Sequence, residues 1–226
     1  MVSDSSAATA RAAVLARIRQ GLAQPAPQPP RPDFGAPVHP PLPADLAVVF
    51  AESFARVGGE FYYCASEAHF TAQLGAYLQE QQIGRLFAWE PAVQAALRAG
   101  NVPFVADETD FLSHADAGLT TCEVLVARTG SLLVAPATAS GRRLSIYPDQ
   151  HLVLARASQV VAEIGDALRV LQARYGSAMP SMASLTTGPS RTADIEKTLV
   201  LGAHGPRRLV LFLLDDAPDA VALDPA

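Results

Sequence analysis

The chain has 226 residues, half of them hydrophobic and 17% charged, with a net charge of −5. That is enough apolar material for one large domain with a sizeable core. The acidic balance and the lack of a clustered basic face argue against nucleic-acid binding. The apolar run at residues 209–214 is too short to span a bilayer, so no membrane span is expected. Cys64 and Cys122 lie outside any CxxC pattern. An iron–sulfur cluster held by this chain alone needs about four thiolates, and a tetrahedral zinc site lacks ligands too. No metal site is expected. Two reduced thiols and no secretory apolar region point to a soluble, cytoplasmic protein.

Residues 7–22 are Ala-rich, with Val14, Leu15, Ile18 and Leu22 recurring near one helical face. Nine prolines within residues 24–43 forbid helix there and favour an extended tether. Residues 1–43 thus read as a helical arm and tether, and residues 44–226 as an α/β body. Leu46, Val49, Phe50, Phe54 and Val57 mark a helix stopped by Gly58-Gly59. Residues 60–65 read as a strand. Ser66 caps a helix whose buried face is Phe70, Leu74, Tyr77 and Leu78. A short strand over 85–89, a helix from Pro91 to Arg98 and a strand over 102–105 continue an alternation typical of a largely parallel sheet. Residues 104–117 are polar and aperiodic, suited to a lid or connector.

Residues 119–127 and 131–135 read as paired strands joined through Arg128-Thr129-Gly130, followed by short strands over 144–147 and 151–155. Ser158 is expected to cap a helix carrying Val160, Val161, Ile164, Leu168 and Leu171. Residues 182–185 and 208–214 are late strands, the last of the buried central kind.

Three polar blocks carry chemistry. Thr129-Gly130-Ser131 offers a tight turn with hydroxyls and N–H groups for anionic oxygens; a plain hairpin turn is the competing reading. Thr187, Gly188, Ser190, Arg191 and Thr192 follow a strand and are expected to open a short helix carrying Asp194 and Glu196. Such an N-terminus favours anions, and Arg191 can grip a carboxylate or phosphate or pair with those acids. Gly202-Ala203-His204-Gly205-Pro206 places His204 between glycines as a candidate general base or oxyanion donor, or as a structural hydrogen-bonding residue. His151 heads a strand and is expected to face the same cleft. No GxSxG, Walker or GxGxxG pattern occurs.

Thr187-Gly188-Pro189-Ser190-Arg191-Thr192-Ala193-Asp194-Ile195-Glu196, with residues 202–206 and 129–131 in the same order, resembles the lactate utilization protein C family (LutC/YkgG, the LUD domain). The resemblance covers roughly residues 44–215. It implies a three-layer sandwich with a mostly parallel central sheet, like the NagB/RpiA/CoA-transferase superfamily, with an added β subregion. It further implies a part in L-lactate oxidation to pyruvate beside iron–sulfur partners (LutA/LutB-like), which would hold the clusters while this chain binds no cofactor. A small carboxylate or other anion is the implied ligand, at Arg191 and the Ser190/Thr192 region with His204 nearby. Many relatives carry Glu where this chain has Arg128, whose charge would favour an anion. The alternatives are a non-catalytic binding or regulatory subunit, and a transferase or isomerase acting on acyl-CoA or a phosphosugar.

Overall fold

A computed structural model describes the chain except for residues 1–3, 24–28, 37–38, 109, 136–140, 196–197 and 217–226. It separates into two units, Met1–Pro40 and Pro41–Ala226. The first contains helix α1 (Asp4–Leu22). Pro25, Pro27 and Pro37 of the tether lie outside the described residues.

The second unit runs α2 (Leu46–Arg56), β1 (Glu60–Cys64), α3 (Glu67–Glu80), β2 (Leu86–Phe87), α4 (Pro91–Ala99), α5 (Phe111–His114) and β3 (Ala117–Thr121). Then follow β4 (Val124–Val126), β5 (Ser131–Val134), β6 (Gln150–Arg156), β7 (Val160–Val161), α6 (Ile164–Tyr175), β8 (Ser184–Thr187), β9 (Arg191–Ile195), β10 (Thr198–Leu201) and β11 (Arg208–Leu214). A five-stranded sheet has the order β1-β11-β6-β3-β2, and every pairing in it is parallel. A second sheet, β7-β4-β5-β8, mixes one parallel with two antiparallel pairings.

Strand alternation builds the layers. On β11, Val210, Phe212 and Leu214 turn to the face covered by Phe70, Leu74 and Tyr77 of α3 and Val93 and Leu97 of α4. Leu209, Leu211 and Leu213 turn to the other face, against Phe50 and Phe54 of α2 and Leu125, Leu132 and Val134 of the second sheet. The far side of that sheet, Val124, Val126 and Leu133, buries Ala167 and Leu171 of α6. The order is helices, parallel sheet, α2 with the second sheet, then α6. Phe212 anchors the first interface: its ring stacks on Tyr62 at 5.1 Å and meets Phe70 edge-on at 5.5 Å.

Several elements differ from the sequence expectation. The apolar run 119–127 is not one strand. It breaks at Cys122-Glu123, where the chain leaves the parallel sheet and enters the second one. Buried Glu123 fixes the break, held by Arg174 and by the Tyr175 hydroxyl at 2.6 Å. Val160 and Val161 do not begin a helix. They pair with Leu125 and Val126, as β-branched residues favour when a partner strand is present. Ser158 therefore does not cap α6; that helix starts four residues beyond Val160 with a reciprocal Glu163/Asp166 capping arrangement. Residues 144–147 are turns, not a strand, and 102–105 contribute only the Phe87–Val105 bridge. Within the connector 104–117, Phe111 is tied down against Phe87 and Trp89 at 5.2 and 4.8 Å.

His151 does not reach a cleft. It is buried on β6 and bonded through Nε2 to Thr120 Oγ1 at 2.9 Å. Thr120 spends its own proton on the Thr121 carbonyl, so His151 Nε2–H is the donor. Burial lowers the imidazole pKa from 6.5 to about 4. The unfolded chain therefore binds this proton first, and stability present above pH 6.5 is lost as pH falls towards 4, by up to roughly 3 kcal/mol. In denaturant unfolding at pH 4.5 and 7.5, H151Q, which does not titrate, should lose less stability between the two pH values than the parent chain.

Candidate functional site

The C-terminal end of α2 is where two of the polar blocks meet. Helix ends leave carbonyls without intrahelical donors. Here Arg191 Nη2 donates to the Val57 carbonyl, a cation placed at the negative end of the helix dipole. Gly188 lies against the same carbonyl with φ of +71°, and a Cβ there would overlap Val57 O. Gly130 lies on the backbone of Ser53 and Phe54 just as closely. Glycine serves both positions because it has no Cβ.

The hydroxyls of the two blocks join across the second sheet, where Ser131 and Thr187 are register partners. Ser131 Oγ donates to Thr129 Oγ1 at 2.7 Å, and it lies 2.7 Å from Thr187 Oγ1. Ser131 has one proton, already given to Thr129. Thr187 is therefore the donor to Ser131, and the chain runs Thr187 to Ser131 to Thr129. The Thr129 proton is left at its end.

Residues 191–195 do not open a helix. They form β9, antiparallel to β10 in a two-stranded ribbon, so no helix N-terminus exists there to attract an anion. The β-branched residues on both strands suit that pairing. Thr192 pairs in register with Val200. The side chain of Asp194 and all of Glu196 lie outside the described residues. Ser190 binds the third block through its backbone: its N–H donates to Pro206 O and its carbonyl accepts from Gly202 N–H, both at 2.9 Å. Arg128 is not an unbalanced charge beside the turn, because Glu163 lies 2.6 Å from its guanidinium.

His204 is exposed in a depression of about 390 Å³ with Ile146, Tyr147, Asp149, Gly202 and Gly205. A separate depression of about 160 Å³ is lined by Ser53, Arg56, Val57, Arg128 and Thr129. The structure thus brings Thr129, Ser131 and Thr187 together and ties Ser190 to residues 202–206, while His204 lines a different hollow from Thr129. Ser53 and Arg56 were missed because they belong to the amphipathic pattern of α2. Only their distance from Gly130, beyond the reach of sequence, connects them to the polar blocks.

Residues 48–214 match the LUD domain family. The chain belongs to this family. It is 35% identical to an uncharacterized protein of Neisseria meningitidis serogroup B over 57% of each chain. It is 30% identical to lactate utilization protein C 1 of Bacillus mycoides over 49% of this chain and 48% of that protein. With lactate utilization protein C of Geobacillus thermodenitrificans it shares 27% identity, over 76% of this chain and 70% of that one. The chain thus spans about half the length of the first two relatives. The crystal structure of a DUF162 family protein from Deinococcus radiodurans superposes with a TM-score of 0.59 at 23% identity, covering 77% of this chain and 99% of that one; it establishes the shared fold.

The LUD domain has a further hollow at the carboxyl ends of β3 and β6, where ligands of open parallel sheets commonly lie. This cleft of about 440 Å³ sets Phe70, Val93 and Leu154 against Arg156 and Arg174. Each arginine already has a carboxylate: Glu67 lies 3.5 Å from Arg156, and Glu123 pairs with Arg174. Cys122 lines the cleft but is buried, and burial with the nearby Glu123 and Glu90 charges raises its thiol pKa. Burial likewise raises Cys64 to about 11. Both thiols are held protonated at neutral pH, which makes them poor nucleophiles. Among the described residues, no helix is long and apolar enough to cross a membrane.

The contacts at Val57 set a test. G188A combines a left-handed backbone with overlap on Val57 O, whereas G141A has a similar φ of +58° and open space around it. In urea unfolding, G141A should cost about 1 kcal/mol, and G188A should cost at least about 1 kcal/mol more.

Proposed function

We propose that this protein is a LutC-like component of an L-lactate utilisation system, acting with iron–sulfur partner subunits (LutA/LutB-like) in the oxidation of L-lactate to pyruvate. The observation that carries the reading is the LUD match across residues 48–214 together with relatives named lactate utilization protein C. The cysteine count is in keeping with it: a chain with two cysteines, both buried, has too few thiolates to hold a cluster alone. A strain lacking this gene and all other lactate dehydrogenases should fail to grow on L-lactate, and the native protein should co-purify with iron–sulfur proteins. Normal growth on L-lactate would refute the assignment.

A second reading, a binding or assembly subunit without catalysis, draws on a specific observation. Arg191 is engaged with Val57, and the Thr187 and Ser131 protons are used within the chain. In a reconstituted lactate-oxidising complex, H204A and R191A separate the two. Retention of full turnover by both variants favours the assembly role. A loss of about a hundredfold or more in turnover by H204A, with the complex intact, makes His204 the acid–base group.

A further inference from the structure

We propose that α1 of one copy docks in a groove along α3 of a second copy, so that two chains exchange their N-terminal helices.

The groove is shaped for a helix. Two hollows, of about 510 and 240 Å³, share Thr71 and Gly100 and so form one channel. Ala68, Ala72, Gly75 and Ala76 of α3 make one wall; Ala96 and Ala99 of α4, and then residues 100–103, make the other. Walls of alanine and glycine let another helix come close, because the side chains at a contact set the distance between helix axes. From Ala68 to Gln79 the channel follows twelve residues of α3, a length of about 18 Å.

The complement is on α1. Arg11, Leu15, Ile18 and Leu22 recur at steps of four, three and four, so they line one face over the same twelve residues. Ile18 and Leu22 are exposed, as is Val14 beside them. In proteins most of a helix's stability comes from packing its apolar face. In the single chain that face is open, and the groove is walled by residues 67–103.

Charge points to a second copy as the occupant. Residues 8–22 hold three arginines and no acid, whereas residues 44–226 carry 13 basic and 20 acidic side chains, a net charge of −7. Glu67 stands at one end of the groove, with only a loose 3.5 Å contact to Arg156. Exposed Glu80 ends α3 at the other. Arg11 and Arg19, towards opposite ends of the stripe, therefore meet an acid in either direction of docking. The 23 residues between Leu22 and Leu46 span about 70 Å when extended, enough to cross to a neighbour. Exchange is reciprocal, so the closed two-fold dimer gains two such contacts.

Sedimentation velocity of the full-length protein tests the exchange. The parent chain should be a dimer. I18E and L22E each bury a charge in the contact and should weaken dimerisation about tenfold or more. G75L should do the same by filling the groove. A Cβ at Gly75 meets nothing within 4 Å, and leucine is the better helix former, so G75L should keep the parent's circular dichroism. Q20E, on the opposite face of α1, should leave the dimer unchanged. A monomeric parent chain would overturn the exchange, whether its own domain or another protein covers α1. So would a dimer that survives I18E and G75L alike. A dimer broken by I18E but indifferent to G75L would mean that α1 pairs elsewhere, and would overturn the groove.

Discussion

The carbonyl of Val57, at the open end of α2, is the constraint on which this architecture turns. It needs a donor, and Arg191 supplies one from more than a hundred residues away. For the guanidinium to arrive, the chain at Gly188 must pass so close that a side chain there would overlap the carbonyl. Gly130 must approach the preceding turn of the same helix equally closely. Two segments remote from each other in sequence are thereby fixed to the end of one helix. Because α2 covers a face of the parallel sheet, the second sheet that carries Thr129, Ser131 and Thr187 is positioned by the same contacts.

Polar groups buried by this arrangement are satisfied locally, which is the condition for keeping them. Glu90 accepts from the Thr121 backbone N–H at 3.0 Å and from its hydroxyl. Glu123 takes Arg174 and Tyr175. His151 gives its proton to Thr120. The hydroxyl chain differs from these, because it is closed at the Thr187 end and ends at Thr129 in the wall of a hollow. A directional chain of this kind lets a buried scaffold present a donor at its surface.

Much of the body was legible in the sequence. The strand before Ser66, the capped helix with Phe70, Leu74 and Tyr77, the Pro91 helix and the final apolar strand are all found. Each announces itself through local signals: a cap, a period, an unbroken apolar run. The failures share one cause. Val160-Val161 and residues 191–195 have no decisive local preference, and strand pairing with β4 and β10 settled them. The run 119–127 looked continuous because each half is apolar, yet its halves belong to different sheets.

The sequence by itself determined the composition of the core, the parallel alternation of strand and helix, and the polar blocks at 129–131, 187–192 and 202–206 that mark the LUD domain. Tertiary structure decided which of those blocks share a surface. It placed His204 apart from Thr129 and joined Thr129, Ser131 and Thr187 into one chain. It also brought in Ser53 and Arg56 from a helix whose pattern speaks only of burial. Periodicity reports which face of an element meets the core. The identity of the neighbour across that face depends on glycine contacts and strand pairings between distant residues, and no local window contains them.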